Sequence, residues 1–333
     1  MRFIRSFLAQ SKNITVAHKI FILNKLLGKR LPLFVTWALT YRCNHNCFYC
    51  GTNDLMSEDL DTETTLSFIN EMSQMGTKII SFTGGEPLLR DDIDIIVNYC
   101  KTKGIYVSMN TNGFLLPNKA EKIKRIDRIV FSLDGPRDIH DAIRGRGSYN
   151  EVMEAVKLAR SKLWNIKFTS VLMDANLDCI EFILDMAQRL EIVTSFQPAR
   201  KLKRGSGELN QLLAQGERYQ KAVKELISYK LNNHPFLGNS LSCLSHFLQW
   251  PNPALIPCAA SRIYCRVEND GRVKGCGDEA NIETLDGKHL GFKNAFMLLK
   301  PFGCLQCWFA AQVELNFIYS LKLDSIVNSF RSF

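Results

Sequence analysis

The stretch LFVTWALTYRCNHNCFYC, residues 33–50, decides the fold of this chain. Its first part, Leu33–Thr40, is apolar and rich in β-branched and aromatic residues, which predicts a buried strand. Cys43, Cys47 and Cys50 follow in a C-x3-C-x2-C array. Three thiolates can hold three irons of a four-iron, four-sulfur cluster, whereas most such clusters have four protein ligands. The array therefore predicts a cluster with one iron left open to a small molecule.

A zinc site is the alternative interpretation of this array. A distant ligand would complete it, and His45 lies within the array itself. Structural zinc sites usually pair their cysteines as C-x2-C, with a second pair further along the chain. Because the 3-then-2 spacing fits that pattern poorly, the cluster is the favoured interpretation.

The composition is that of a globular chain that binds metal. The 333 residues are 46% hydrophobic and 23% charged, enough for one large domain and a smaller one. The sequence has neither a signal-peptide pattern nor an apolar run of membrane-spanning length. Of its 11 cysteines, eight fall into two groups, which in a cytoplasmic chain favours metal over disulfides.

Positive charge is concentrated at the N-terminus. The first 53 residues carry eight Lys or Arg and no acid, within a net charge of +9. Residues 1–32 are predicted as a basic helical segment, with apolar residues recurring at helical spacing from Val16 to Leu27. The favoured interpretation is a helix packed on the body of the protein, and the alternative is peripheral docking on an anionic membrane. Nucleic acid is not expected, because only the net charge supports it.

From residue 33 onward, strand and helix patterns alternate. Alternation of this kind predicts parallel strands with right-handed crossovers, here an open (β/α)6 barrel that is three quarters of a TIM barrel, over residues 33–235. The predicted strands are Leu33–Thr40, Lys78–Phe82, Ile105–Met109, Arg128–Leu133, Lys167–Met173 and Ile192–Gln197. In such barrels the chemistry gathers at the C-terminal ends of the strands.

Polar and glycine-rich stretches follow several of these strands on that same rim. Thr83-Gly84-Gly85-Glu86-Pro87 follows the second strand, Asn110-Thr111-Asn112-Gly113 the third, and Ser132-Leu133-Asp134-Gly135 ends the fourth. Turns alone explain glycine and proline, but not a cysteine array and these stretches on one face.

Beyond residue 200 the barrel pattern fades. Leu209–Leu231 is predicted as a long helix, and a cysteine-rich domain is predicted over residues 250–333. A hairpin is expected there, with Arg262–Val267 and Arg272–Lys274 joined at an Asp-Gly turn. A terminal helix is predicted over Ala311–Leu323.

These motifs together resemble the radical S-adenosylmethionine (SAM) superfamily. Cys43, Cys47 and Cys50 match its cysteine signature, with Tyr49 directly before the last cysteine, and Gly84–Pro87 matches its GGEP motif. The resemblance covers about residues 35–200. It implies a SAM-dependent enzyme that cleaves SAM reductively to a 5′-deoxyadenosyl radical, which abstracts hydrogen from a substrate.

The resemblance also implies roles for individual residues. The three cysteines hold the catalytic cluster, Gly84 and Gly85 let the backbone approach SAM, and Glu86 holds the SAM ammonium group. Asn110 and Asn112 suit the ribose or the methionine carboxylate. The remaining implied SAM contacts are Tyr49, Pro87, Ser132, Asp134 and Arg144.

The C-terminal cysteines resemble a shortened SPASM or Twitch extension, which binds an auxiliary iron–sulfur cluster. The predicted ligands of a second four-iron, four-sulfur cluster are Cys258, Cys265, Cys276, Cys304 and Cys307, with Cys265 either a ligand or a spectator. Zinc remains the alternative for the other four. Cys100, Cys179 and Cys243 are predicted to be buried core residues.

Two substrate hypotheses follow from the resemblance. The first is a peptide or protein side chain, and the second is a lipid or small metabolite, with the basic N-terminus docking on a membrane. A scaffold that binds metal without catalysis is disfavoured by the complete motifs. The resemblance further implies an electron donor such as flavodoxin or ferredoxin, and a cytoplasmic location, with membrane association as the alternative.

Overall fold

The computed structural model describes residues 27–55, 57–277, 283–301 and 307–332. The N-terminal segment up to residue 26, including most of the predicted basic helix, lies outside the described residues, as does Cys304. Six parallel strands form the barrel wall, in the order β6-β5-β4-β3-β2-β1. They are β1 Phe34–Thr40, β2 Ile79–Gly84, β3 Tyr106–Thr111, β4 Arg128–Ser132, β5 Asn165–Leu172 and β6 Val193–Pro198.

Helices connect consecutive strands of the barrel. The connecting helices are α1 Thr62–Gln74, α2 Ile93–Thr102, α3 Leu116–Lys119, α4 Arg137–Arg144, α5 Ser148–Ser161 and α6 Ile180–Leu190. Later helices are α7 Gly216–Leu231, α8 Leu241–Phe247, α9 Gly287–Leu290, α10 Phe292–Leu298, α11 Ala310–Tyr319 and α12 Leu323–Ser332. In the described part of the chain, no helix is both long and apolar enough to cross a bilayer.

The two faces of each barrel strand meet different surroundings. Val35 and Trp37 of β1 are buried against the helices in the main hydrophobic core. Phe34 and Thr36, on the opposite face, line the barrel lumen. This period-2 alternation places the polar ends of the strands around one open interior.

The predicted (β/α)6 architecture is confirmed, with all six predicted strands present within about two residues. Two helix predictions are wrong. The helix predicted from Leu209 begins at Gly216, because residues before it form bridges with Leu202 and Met173 and leave Gln215 extended. The predicted terminal helix, Ala311–Leu323, ends early as α11 at Tyr319, since Leu321 has a left-handed φ of 64°, and a further helix, α12, follows from Leu323.

The predicted C-terminal hairpin is confirmed, and it extends the barrel sheet. β7 Tyr264–Val267 and β8 Arg272–Lys274 pair antiparallel, and β9 Thr284–Asp286 adds a further strand. β7 also pairs parallel to β1, from Phe34 opposite Tyr264. The cysteine-rich segment therefore covers an edge of the barrel that would otherwise be unpaired.

We predict that Phe82→Ala lowers the free energy of unfolding by about 3–5 kcal/mol, because its ring is fully buried on β2 beside Trp37. Urea unfolding followed by circular dichroism measures this. Leu255→Ala is the control, since Leu255 is 84% exposed and its removal should change the free energy by no more than about 0.5 kcal/mol. Equal effects of the two substitutions would contradict this account of the core.

Candidate active site

The cysteine array lines one cavity at the C-terminal rim of the barrel. Cys43, Cys47 and Cys50 all line this cavity, of about 170 Å³, which we call the cysteine cavity. The predicted site residues that also line it are Tyr49, Gly84, Gly85, Glu86, Asn110, Asn112, Ser132 and Arg144. Three cysteines in the wall of one cavity match the donor set of an iron–sulfur cluster, although in the described part of the chain no three such side chains are already grouped as ligands of a single metal ion. His45, the candidate zinc ligand, also lines this cavity, and its Nε2 lies 3.0 Å from Glu151 Oε2.

The cysteine thiols lie in a partly desolvated environment. Burial raises the pKa of Cys43 to about 11, and burial also raises the pKa of Cys47. Both thiols are therefore protonated at neutral pH in the absence of metal. Because metal binds the thiolate, loading of this site releases protons.

Gly84 and Gly85 hold the chain close to the segment that leads into the cysteine array. A Cβ on Gly84 would lie 2.1 Å from the carbonyl oxygen of Thr40, and a Cβ on Gly85 would lie 2.1 Å from that of Arg42. The Gly85 amide donates to the Thr40 carbonyl at 2.7 Å, and the Glu86 amide donates to the Arg42 carbonyl at 2.9 Å. The two glycines therefore allow a close contact of backbone with backbone at the start of the cysteine loop.

Glu86 joins the ends of β2 and β3. Its side chain is buried, and its carboxylate accepts hydrogen bonds from the Leu88 amide at 3.1 Å, the Thr111 hydroxyl at 2.9 Å and the Asn112 amide at 2.9 Å. Burial raises the pKa of Glu86 to about 7, although these donors oppose the shift. The predicted role of Glu86 toward an ammonium group stays a prediction, and this carboxylate also has a structural role.

The two asparagines of the rim have different partners. Asn112 donates from Nδ2 to Asn44 Oδ1 at 2.9 Å, so it contacts the cysteine loop itself. Asn110 donates to Ser81 Oγ at 3.3 Å and to the Phe82 carbonyl at 3.2 Å. Asn110 lines both the cysteine cavity and the barrel lumen, which places it at the junction of the two.

Asp134 is linked to the cysteine loop by hydrogen bonds through Arg144 and Tyr49. Asp134 is fully buried and does not line the cysteine cavity, and its Oδ2 accepts from Arg144 Nε at 2.5 Å. Arg144 Nη2 donates to the Tyr49 hydroxyl at 2.7 Å. Burial alone would lower the pKa of Arg144, but the Asp134 carboxylate raises it. This buried series of hydrogen bonds positions Tyr49, and with it the loop between Cys47 and Cys50.

Three of the C-terminal cysteines gather around Tyr264 of β7. Burial raises the pKa of Tyr264, and the nearby thiols of Cys276, Cys307 and Cys258 raise it further. Cys258 Sγ lies 3.9 Å from the Tyr264 hydroxyl. Cys265, the next residue on the strand, points to the opposite face and is buried in the main core. The structure thus separates Cys265 from the other three, and the ligand roles of all the C-terminal cysteines stay predictions.

Two further cavities adjoin the site, and the sequence reasoning missed them. The barrel lumen, about 330 Å³, shares Thr83 and Asn110 with the cysteine cavity. A second space of about 550 Å³, which we call the basic cleft, shares Arg204, Gly277 and Phe309 with the lumen. The basic run at residues 200–204, directly after β6, was the signal in the sequence that could have found the cleft.

We predict that Gly85→Ala lowers the iron content of the anaerobically reconstituted protein, because a Cβ at this position collides with the backbone of Tyr41 and Arg42 before the first cysteine. Gly76→Ala is the control: at a φ of 93° it strains the backbone, but no heavy atom lies within 4 Å of its Cβ position, so it costs stability without the collision and should leave the iron content unchanged. Iron and sulfide analysis measures the difference. Full iron loading of Gly85→Ala would contradict the proposed packing.

We predict that Glu86 makes the stability of the metal-free protein fall as pH rises. Its pKa is raised from 4.5 to about 7 in the folded state, so the folded protein binds this proton more tightly than the unfolded chain. The protonated Glu86 therefore stabilises the fold at low pH. As pH rises from 4.5 to about 7 this contribution is lost, and the free energy of unfolding should fall by about 3 kcal/mol. Urea unfolding of the wild type and Glu86→Gln at pH 5 and pH 8 measures this. Parallel changes in the two proteins would contradict the burial argument.

Comparisons with known proteins agree with the geometry. The profile of the Radical SAM superfamily matches residues 37–187. Mycofactocin maturase MftC of Mycolicibacterium smegmatis is 28% identical over 81% of this chain and 71% of that protein. An AdoMet-dependent heme synthase of Methanosarcina barkeri is 31% identical over 49% of this chain and 49% of that protein.

The fold is also that of solved structures. Streptococcus suis SuiB bound to SAM aligns with a TM-score of 0.64 at 14% identity, covering 82% of this chain and 67% of SuiB. SuiB bound to its precursor peptide SuiA aligns with a TM-score of 0.60 at 15% identity, covering 94% of this chain and 70% of SuiB. The solved structures show the same fold, and the matched profile together with the sequence relatives shows that the chain is an enzyme of the radical SAM superfamily, whose members bind a four-iron, four-sulfur cluster and SAM.

Proposed function

We propose that this radical SAM enzyme abstracts hydrogen from a peptide or protein side chain. The observation that carries the proposal is the continuity of the three cavities: the cysteine cavity meets the barrel lumen at Thr83 and Asn110, and the lumen meets the basic cleft at Arg204. Together they offer room for an extended substrate that reaches the cysteine loop. The likenesses to MftC, a maturase, and to SuiB, solved with a precursor peptide, support a peptide.

The residues of the chain would divide the work as follows. Cys43, Cys47 and Cys50 hold the catalytic cluster, and Arg144 and Asp134 hold the loop in place. When bound, the cluster and SAM supply reductive cleavage of the sulfonium and a 5′-deoxyadenosyl radical. The barrel walls orient the substrate carbon and exclude water from it.

The C-terminal cysteines would hold a second cluster. Cys258, Cys276 and Cys307 gather around Tyr264, and Cys304 would complete a four-thiolate set. We expect this second cluster to accept the electron left after hydrogen abstraction or to bind the substrate. A flavodoxin or ferredoxin would supply the electron that starts each turnover.

A small metabolite is the second candidate substrate. The likeness to the heme synthase supports it, since that protein is named for a small-molecule product. A lipid substrate would further require the basic N-terminus to dock on a membrane. Sedimentation with anionic vesicles tests that requirement, and absence of binding would remove the lipid alternative.

We predict that the anaerobically reconstituted, reduced protein converts SAM to 5′-deoxyadenosine, and that the Cys43/Cys47/Cys50→Ala triple variant produces none above background. Chromatography with mass detection measures the product. Cys100→Ala is the control, because Cys100 is a buried core cysteine of α2 and should leave the product yield unchanged.

Failure of the wild type to form 5′-deoxyadenosine, with iron loaded, would contradict the proposed activity. For the peptide assignment, the decisive assay offers the enzyme a short peptide encoded beside its gene. A mass change of that peptide that requires SAM supports the assignment, and an unchanged peptide favours the small-metabolite candidate.

A further inference from the structure

The basic cleft carries an excess of positive charge. Among the described residues that line it, six are cations and one is an acid, Glu268. The cations are Arg200, Lys201, Lys203, Arg204, Arg272 and Lys274. A concave surface with this imbalance attracts anions and holds them more strongly than a flat surface does.

The single acid of the cleft is already fully engaged. Glu268 is buried, and its carboxylate accepts from the Tyr41 hydroxyl at 2.6 Å and from Arg266 Nε at 3.0 Å. Lys274 Nζ lies 3.1 Å from its Oε1. One carboxylate therefore faces two paired cations and has no hydrogen bond with the neighbouring Arg204.

Two guanidinium groups with unused donors line the barrel lumen, and one of them, that of Arg204, also lines the basic cleft. Arg266 is 5% exposed, and its Nη2 is buried without a hydrogen-bond partner among the described residues. The guanidinium of Arg204 makes no hydrogen bond or ion pair with any residue in the described ranges. Burial lowers the pKa of Arg204 and the nearby charge of Arg266 lowers it further, whereas the pKa of Arg266, which burial would lower, is raised by Glu268. Buried donors and like charges of this kind are costly unless an anion lies between them.

The position of Arg204 is tied to the cysteine loop. Its amide donates to the Cys50 carbonyl at 3.3 Å, and its own carbonyl lies 2.3 Å from the Cβ position of Gly51, so that only glycine fits there. Arg204 and Arg266 both line the lumen, but neither lines the cysteine cavity. An anion held by this pair therefore lies beside the cysteine cavity and outside it.

We propose that Arg204 and Arg266 bind an anionic oxygen group of the substrate, a carboxylate or a phosphate, and thereby anchor the substrate beside the cysteine loop. That the anion belongs to a substrate rests on the proposed radical function, whereas the anion site itself rests on the two guanidinium groups alone. Planar guanidinium groups suit both anions, since each offers paired donors to two oxygens. The anchor would leave the rest of the substrate to extend through the lumen toward Asn110.

Direct binding to the reconstituted enzyme, saturated with SAM, tests this site. Isothermal titration calorimetry at fixed ionic strength would use glutarate and inorganic phosphate as probes, with neutral glutaramide as the blank. We expect saturable binding of at least one anion and none of glutaramide, and the better anion identifies the group on the substrate. Absence of saturable binding of both anions, or its appearance only when SAM is left out, would overturn the proposal.

Variants separate a specific site from general charge attraction. Arg204→Gln should weaken anion binding by roughly tenfold or more. Arg189→Gln removes the same charge from an exposed position on α6 and should leave the affinity unchanged. Equal weakening in both variants, or none in Arg204→Gln, would overturn the proposal.

Thermal stability gives a second readout that a purely structural arginine would not produce. Because the Arg204 guanidinium is buried beside other cations and makes no hydrogen bond with the described residues, Arg204→Gln should raise the melting temperature of the anion-free enzyme in low salt. It should also abolish the further rise that the anion causes in the wild type. A melting temperature that falls, with the anion effect retained, would contradict the site.

The outcome is separable from that of the proposed function. Anion binding without 5′-deoxyadenosine formation would contradict the radical function and leave the anion site in place. Formation of 5′-deoxyadenosine with no anion binding would overturn the site and leave the radical function in place.

Discussion

The close contact between the chain after β1 and the chain after β2 is the constraint on which the site depends. The carbonyls of Thr40 and Arg42 accept hydrogen bonds from the amides of Gly85 and Glu86. Neither Gly84 nor Gly85 has room for a side chain. This contact sets where the cysteine loop begins. Glu86 then carries the constraint to β3 through Thr111 and Asn112, so three strand ends are held together before any cluster is bound. A glycine pair that is implied to serve a cofactor thus also shapes the protein around it.

Much of the barrel was predictable because its signals are local. Each strand is a short apolar run and each helix has a 3.6-residue period, and both are read within one segment. The pairing of β7 with β1 was not predictable, since it joins residues more than 200 positions apart and has no local signature. The helix predicted from Leu209 begins only at Gly216 for a related reason: bridges from Leu209 to Leu202 and from Leu213 to Met173, with a turn between them, replace its first turns.

The candidate site likewise has features that the sequence predicts and features that only the structure reveals. The cysteine array and the GGEP stretch were found because their spacing is itself the signal, and the structure brings Cys43, Cys47, Cys50 and the segment Gly84–Glu86 to one cavity, with Pro87 outside its wall. Asp134 was predicted to contact SAM, and the sequence does not reveal that its carboxylate accepts from Arg144 and lies outside the cavity wall. The facing pair of Arg204 and Arg266 was missed, because each comes from a different part of the chain and neither belongs to a motif. Charged residues that come together only in the folded protein have no characteristic spacing in the sequence.

The central claim is that the cysteine loop holds a cluster with one iron open to SAM. Electron paramagnetic resonance of the reduced protein, with and without SAM, tests it most directly. The account predicts about eight irons per chain in two four-iron clusters. It also predicts that SAM alters the signal of one cluster only, the one missing from protein that lacks Cys43, Cys47 and Cys50. A spectrum that SAM leaves unchanged in fully loaded protein would contradict the claim.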